Sequence, residues 1–317
     1  MSPRISAVIT TFNRASIVTD AIKSVAAQTV PVLELIVIDD GSSDETQESV
    51  LKVFQEISIP CRYIHKNNGG MASSLNQGVL EAKGDWIAFL DDDDLWHEEH
   101  IERCLAIIAQ FPELGCVSGL RDENGALQSV PPSLMTSYQS STQDKSLLIK
   151  NCQPLVLPFF TPVVGTSIIK KDLFGKINFE ADAGARLDIH FFWRLSELTH
   201  LGLDLRSHGI ARQYRTSFLS TDNDAPQSIK DEIVLKRSQD EIKMLRLLLT
   251  QLKPEQTQVF KSMYKHALVG RAYILRGLGH YSEALSWLRS CWRECQFSTV
   301  FKEAMFSFLR IKPNNFN

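Results

Sequence analysis

Four short runs rich in Val, Ile and Leu recur through the first third of the chain, and each stops at a cluster of turn-forming residues: "ISAVITTFNR", "LELIVIDDGSSDET", "CRYIHKNNGG" and "DWIAFLDDDD". Between them lie "ASIVTDAIKSVAAQ", "QESVLKVFQEI" and "MASSLNQGVLEAKG", with apolar residues at helical spacing. This alternation constrains the fold more than any other feature. Successive strands joined through a helix pair in parallel, and a parallel sheet must be covered on both faces. The fold class predicted is therefore α/β, with a mostly parallel, Rossmann-like sheet flanked by helices. "EEHIERCLAIIAQF" extends the pattern with a further amphipathic helix, and Ser43 or Asp44 is placed to cap the second one. Sheets of this kind bind ligands beyond the C-terminal ends of their strands.

The middle of the chain reads differently. "SVPPSLMTSYQSSTQDKS" is loop by its Pro, Ser, Thr and Gln content. "VVGTSIIKKDLF" is strand-like, "LDIHFFWRLSELTHLG" helical and "RSHGIARQYRTS" a last strand. Beyond about residue 226 only helical texture remains. "SIKDEIVLKRSQDEIKMLRLLLTQL" forms one long pattern, and Pro254 marks a break before further helices. "DNDAPQS" thus separates an expected 1–225 domain from a helical 226–317 extension. "GLGHYSEAL" resembles the turn of one tetratricopeptide unit, but no second copy follows at the right period.

Charge bears on partners. The net charge of −3 makes no demand for a nucleic-acid partner, and none is expected. From Lys230 onward, however, 15 Lys and Arg face 8 Asp and Glu, whereas the preceding residues carry 19 against 29. The basic end, "WLRSCWRECQFSTVFKEAMFSFLRIK", mixes Trp and Phe with cations as interfacial helices do. Two readings stand. One is peripheral contact with the inner face of the cytoplasmic membrane. The other is a helical cap on the front domain or on a second copy in a homodimer. "MSPRISAVITTFNR" lacks a signal-peptide core, and no apolar run approaches the roughly 20 residues that span a bilayer. A cytoplasmic location is expected. The 6 cysteines include no CxxC pair and read as free, buried thiols.

Two acidic clusters end predicted strands: Asp39-Asp40 and, in "FLDDDDLW", Asp91 to Asp94. Carboxylates this close repel one another. A hard divalent cation relieves that repulsion, since Mg²⁺ takes one or two carboxylates together with phosphate oxygens. The alternative is a solvated acidic turn with Asp94 capping the next helix.

The motifs "ITTFNR", "VIDDGSSDET", "NNGGMASSLNQG" and "GDWIAFLDDDDLW", in that order at strand ends, resemble family 2 glycosyltransferases over roughly residues 3–220. The resemblance implies the GT-A nucleotide-diphospho-sugar transferase fold and an inverting hexosyltransferase of surface polysaccharide or glycoconjugate synthesis. Its donor would be a nucleoside-diphosphate sugar, UDP-linked by preference. Its cofactor would be Mg²⁺ or Mn²⁺, and its acceptor a carbohydrate or lipid-linked glycan. The family's Asp-x-Asp motif maps to Asp91-Asp92-Asp93. The resemblance makes Asp93 the metal ligand and puts Asp91 on the ribose or sugar side. It makes Asp92 the variable, dispensable middle acid and gives Asp94 the loop. Thr10, Phe12 and Asn13 would line the base pocket, with Phe12 stacking on the base unless its ring turns into the core. Asp39 would accept the base imide N–H. Gly70 would let backbone approach the donor.

The same resemblance puts the general base in "RLDIHFFWRL", where Asp188 would deprotonate the acceptor and Arg194 matches the family arginine. Leu187 stands where the family carries Glu. Ser217, in "YRTS", stands where it often carries a metal-binding His, which leaves water or His208 to complete the metal shell. His190 reads as a partly buried structural histidine. The competing functions are a non-catalytic sugar-nucleotide-binding protein, a nucleotidyltransferase of related fold, and an adaptor acting through its helical tail.

Overall fold

A computed structural model describes residues 3–123, 125–130, 140–141, 146–149, 162–212, 227–252 and 257–291. The chain separates into two compact units. The first comprises residues 1–181 and 188–220, and the second comprises 182–187 together with the chain from 221 onward.

The first unit is the predicted alternation. Its elements run β1 (Ile5–Thr11), α1 (Val18–Ala26), β2 (Glu34–Asp39), α2 (Thr46–Phe54), β3 (Cys61–His65), α3 (Gly70–Glu81), β4 (Trp86–Asp91), β5 (Asp94–Trp96) and α4 (His100–Gln110). Then follow β6 (Leu114–Glu123), β7 (Ala126–Leu127), β8 (Ser140–Ser141), β9 (Ser146–Ile149), β10 (Ser167–Lys170), α5 (Leu187–Ser196) and β11 (His200–Ala211). One sheet has the order β3-β2-β1-β4-β10-β6-β11-β9-β8, with β5 on β11 and β7 on β6. The first four strands are parallel, as is the β6–β11 pair, while β10 runs antiparallel between β4 and β6. Every residue of β2 is buried, the pattern of a strand covered on both faces. β3 lies at the sheet edge and is mostly half-buried, which suits its mixed "CRYIH".

Two local readings change. "THLG" does not prolong α5: β11 begins at His200 and pairs with β6, Leu201 opposite Cys116, so strand pairing overrides a helical spacing of leucines. The cap residue of α2 is Glu45 with no side-chain cap bond, although Asp44 accepts the Thr46 N–H at 3.1 Å. Cys104, Cys116 and Cys291 are free and buried, and Cys61 is free and half-buried; Cys152 and Cys295 lie outside the described residues.

In the second unit, α6 (Gln227–Gln251), α7 (Thr257–Gly277) and α8 (Tyr281–Cys291) carry the predicted helical texture. α6 and α7 bury Leu245, Leu248, Leu268 and Leu275. The Arg271 guanidinium ties them together by donating to the Leu235 carbonyl and the Ser238 hydroxyl at 2.7 Å, and it stacks over Trp287 on α8. The segment Asp182–Leu187 belongs to this unit. Ala185 N–H donates to the buried Asp240 carboxylate of α6 at 3.2 Å, and a Cβ on Gly184 would meet that carboxylate at 2.6 Å. Among the described residues no helix is long and apolar enough to cross a membrane. Pro254, residues 222–226 of "DNDAPQS" and the basic end beyond residue 291 lie outside the described residues, while Gln227 and Ser228 open α6.

Candidate active site

The ends of β1, β2 and β4 share one rim because the strands are parallel and in register: Thr10 lies opposite Asp91, and Thr11 opposite Asp39. The loop after β1 is sewn to the loop after β2. Asn13 N–H donates to the Ser42 hydroxyl at 2.8 Å, and the Asn13 carbonyl oxygen accepts Ser43 N–H at 2.9 Å. Arg14 and Ala15 N–H donate to Thr46 and Asp44. Asn13 holds this position with φ of 52°, a conformation that Asn tolerates better than most residues. Phe12 next to it is 45% exposed, so its ring is on the rim and not in the core. Thr10 is half-buried.

Asp39 and Asp40 divide the loop-holding work. Asp39 is fully buried, with one oxygen accepting Ser42 N–H at 2.8 Å and the other accepting the Tyr63 hydroxyl and facing His65. Burial raises its pKa, but Ser42, Tyr63 and His65 outweigh that and hold it below the usual carboxylate range. Asp40 accepts from Lys66 at 2.6 Å, from Gly69 N–H at 2.9 Å and from Gly70 N–H at 2.7 Å. Gly70 opens α3 with φ of 81°, and a Cβ there would meet nothing within 4 Å. Its backbone conformation, not crowding by the protein, is what calls for glycine.

The four acids of "DDDD" form a turn between β4 and β5 and are not equivalent. Asp92 is buried, accepts the Thr11 hydroxyl at 2.7 Å and lies 3.8 Å from Arg14, so the acid expected to be dispensable ties the turn to β1. Asp93 is more open and pairs with Arg14 at 3.2 Å. Asp94 accepts from Arg121 at 3.3 Å and from Arg212 N–H at 3.3 Å. It starts β5, well ahead of α4, so it holds the loop and caps no helix. Asp91, by contrast, has no hydrogen-bond or ion-pair partner among the described residues. Its pKa is raised, first by burial and then by Asp94 and Asp93, with Arg121 acting in the opposite sense.

An unpartnered carboxylate crowded by two others fits a hard divalent cation. The four acids do not close into a three-carboxylate cage among the described residues. A cation that takes one or two carboxylates and completes its shell with phosphate oxygens needs no such cage.

Asp188 is half-buried in the first turn of α5, and its Oδ1 accepts Ile189 N–H at 2.8 Å. Arg194, two turns on, pairs with Glu180 at 3.6 Å. Leu187 and His190 are both buried. His208 cannot swing toward the acidic turn: it is fully buried, with Nε2 3.0 Å from Asp204 and Nδ1 2.9 Å from His100. Ser217 lies outside the described residues.

Sequence reasoning missed Arg14, Lys66, Arg121 and Arg212, the cations that hold these acids. It also missed Tyr63, which period-two alternation from His65 along β3 would have pointed to.

The family model described as "Glycosyl transferase family 2" matches residues 6–173. An uncharacterised glycosyltransferase of Rickettsia typhi is 37% identical over 107 residues, 34% of this chain and 32% of that protein. One from Nostoc is 28% identical over 144 residues, 45% of this chain and 42% of that protein. The matched segment thus spans about a third to two fifths of the length of these curated relatives. Among solved structures, TarS of S. aureus (residues 1–349) matches 96% of this chain and 91% of that one at a TM-score of 0.56 and 18% identity. The mannosyltransferase PcManGT of Pyrobaculum calidifontis matches 98% of this chain and 80% of that one at a TM-score of 0.60 and 14% identity. Likeness at this identity speaks for the fold alone, and the α/β unit described above has the GT-A fold. With the rim built at the ends of β1, β2 and β4 and more than half of the chain matched, the protein belongs to glycosyl transferase family 2.

Proposed function

We propose that this chain is an inverting, metal-dependent glycosyltransferase that moves a sugar from a nucleoside-diphosphate sugar to an acceptor hydroxyl. The observation that carries the reading is Asp91. A carboxylate without a partner, set among other carboxylates on the strand-end rim, is arranged for a cation and its diphosphate. Structures of the two neighbours support the donor class: TarS has been solved with UDP-GlcNAc, and PcManGT with GDP-Man and Mn²⁺. A UDP-sugar is the first donor to test and a GDP-sugar the second.

In this mechanism Phe12 offers the base its ring face, while Thr10 and the Asn13 loop wall the pocket. Asp39 uses a remaining lone pair for the base imide, and Gly70 keeps the donor side of the α3 start free of a side chain. Asp93 and Asp91 would hold Mg²⁺ or Mn²⁺, which when bound supplies Lewis-acid stabilisation of charge on the leaving diphosphate. Asp188 takes the acceptor hydroxyl proton. The acceptor oxygen then bonds to the anomeric carbon from the face opposite the leaving group. The bond from that carbon to the diphosphate oxygen breaks, and the nucleoside diphosphate departs. General-base help of this kind is worth about 10²–10⁴ in rate.

The test separates binding from chemistry. Asp93→Ala should abolish transfer and the Mn²⁺-dependent rise in melting temperature with the sugar nucleotide. Asp188→Asn should keep that rise and lose transfer. Normal turnover by either variant sinks the assignment. Donor binding without any transfer by the wild type identifies a binding protein, and release of pyrophosphate identifies a nucleotidyltransferase.

A further inference from the structure

His100, Cys104 and His208 form a second constellation. All three are completely buried, and their ligating atoms lie within 4.8 Å of one another. His100 and Cys104 sit one turn apart on α4, and His208 reaches them from β11. The two Nδ1 atoms are 2.9 Å apart, and Cys104 Sγ is 3.6 Å from one and 4.0 Å from the other. A tetrahedral zinc ion with ordinary bond lengths separates two imidazole nitrogens by about 3.3 Å, and a nitrogen from a thiolate by about 3.6 Å. The three separations therefore lie within about 0.4 Å of those between three corners of such a site.

The surroundings are built for these rings. Asp204 Oδ2 lies 3.0 Å from His208 Nε2, close enough to raise the ring's basicity as an outer carboxylate does beside a metal-binding histidine, although the two do not align as a hydrogen bond. Residues four apart on a regular strand are separated by about 13 Å. This contact exists because β11 slips register against β6 between Asp204 and Ser207 and again between Ser207 and Gly209. Bulges re-aim side chains in this way. Arg206 braces the same carboxylate at 2.6 Å. Facing the cluster, residue 119 is glycine, and a Cβ there would fall 2.0 Å from His208 Cγ. Trp96 packs against the other ring, tilted by 36° with centroids 4.4 Å apart.

Without a cation the two Nδ1 atoms can share one proton, His100 Nδ1–H donating to His208 Nδ1, with the Cys104 sulfur against both. His100 Nε2 is buried with no hydrogen-bond partner whether or not Nδ1 holds a cation. The Cys104 thiol is held protonated, because burial pushes it well above its ordinary range.

We propose that His100 Nδ1, His208 Nδ1 and Cys104 Sγ bind one thiophilic divalent transition metal, of the zinc class, at a site separate from the acidic turn. Imidazole with thiolate selects zinc over magnesium, whereas the oxygen-only turn has the opposite preference. On loading, the thiol gives its proton to solvent and the sulfur takes the cation in its place.

Cobalt(II) reports on the site directly, because a thiolate ligand gives a ligand-to-metal charge-transfer band that carboxylates cannot give. The full chain, reduced and stripped with chelator, is titrated with Co²⁺. The expected result is a near-ultraviolet band that saturates at one equivalent and is displaced by Zn²⁺. The band should persist in Asp93→Ala and vanish in Cys104→Ser. Absence of the band in the wild type, or its persistence in Cys104→Ser, overturns the proposal. X-ray absorption on the zinc-loaded wild type needs no variant. One sulfur and two imidazole nitrogens are expected, and an oxygen-only shell, or zinc lost on gel filtration, overturns the proposal even if Cys104→Ser does not fold.

Discussion

At Asp92 the side chain is held by Thr11 and Arg14 and shut away from water, and its pKa is pushed up to about 6. Burial is the largest cause, and the Thr11 hydroxyl and Arg14 offset it only in part. The folded chain thus binds this proton more tightly than the unfolded chain does, whose carboxyl titrates near about 4. The contribution of this group to stability falls as pH rises from about 4 to about 6 and is least favourable above that. Asp92→Asn keeps an acceptor for Thr11 and removes the buried charge. In chelator it should be at least as stable as the wild type at pH 7.5 and lose that advantage at pH 4. Asp92→Ala leaves the Thr11 hydroxyl without its acceptor and should be less stable than the Asn variant by about 1–3 kcal/mol. Urea unfolding at the two pH values checks both, and an Asn variant weaker than the wild type at pH 7.5 contradicts the account.

The loops are the next scale. Asp40 gathers Lys66, Gly69 and Gly70 into the start of α3. Burial raises its pKa, yet Lys66 and the Gly69 N–H, with Ser74 and Gly70, bring it below the ordinary range. That stabilisation is present above the unfolded-state pKa and is lost as pH falls through the lower folded value. Asp40→Asn should therefore cost about 1–3 kcal/mol at pH 7, with the gap to the wild type closing near pH 3. A gap that is constant in denaturant melts across that range rules this out.

The strands that end at Asp39 and Asp91 were legible because a parallel sheet buried on both faces leaves an unbroken apolar run and a sharp polar stop. The partners of those acids were not. Arg14 is 79 residues from Asp93, and Arg212 is 119 residues from the Asp93 carbonyl it holds. Long flexible cations reaching across such separations leave no local periodicity. The bulges that aim His208 are equally invisible, since register belongs to a pair of strands and "RSHGIA" shows only one of them.

Across the whole molecule the chain enters the helical unit twice, once for Asp182–Leu187 and again after residue 220. The residue that follows the first visit is Asp188. If Asp188 is the base, its placement depends on a segment anchored to Asp240. Asp240→Ala should lower the turnover number by roughly ten- to a hundredfold, the usual effect of a small misplacement, and leave donor affinity unchanged. Equal loss of both in steady-state and equilibrium measurements would tie Asp240 to general stability instead. The double visit also bears on how such a chain can be recombined. A crossover that grafts a foreign tail at residue 225 would part Ala185 from the carboxylate that receives its N–H. The junction that keeps the helical unit whole lies before Asp182, and it carries Asp188 along. That junction also removes β11, which pairs with β5, β6 and β9 inside the first unit, so no single crossover exchanges either unit whole and by itself.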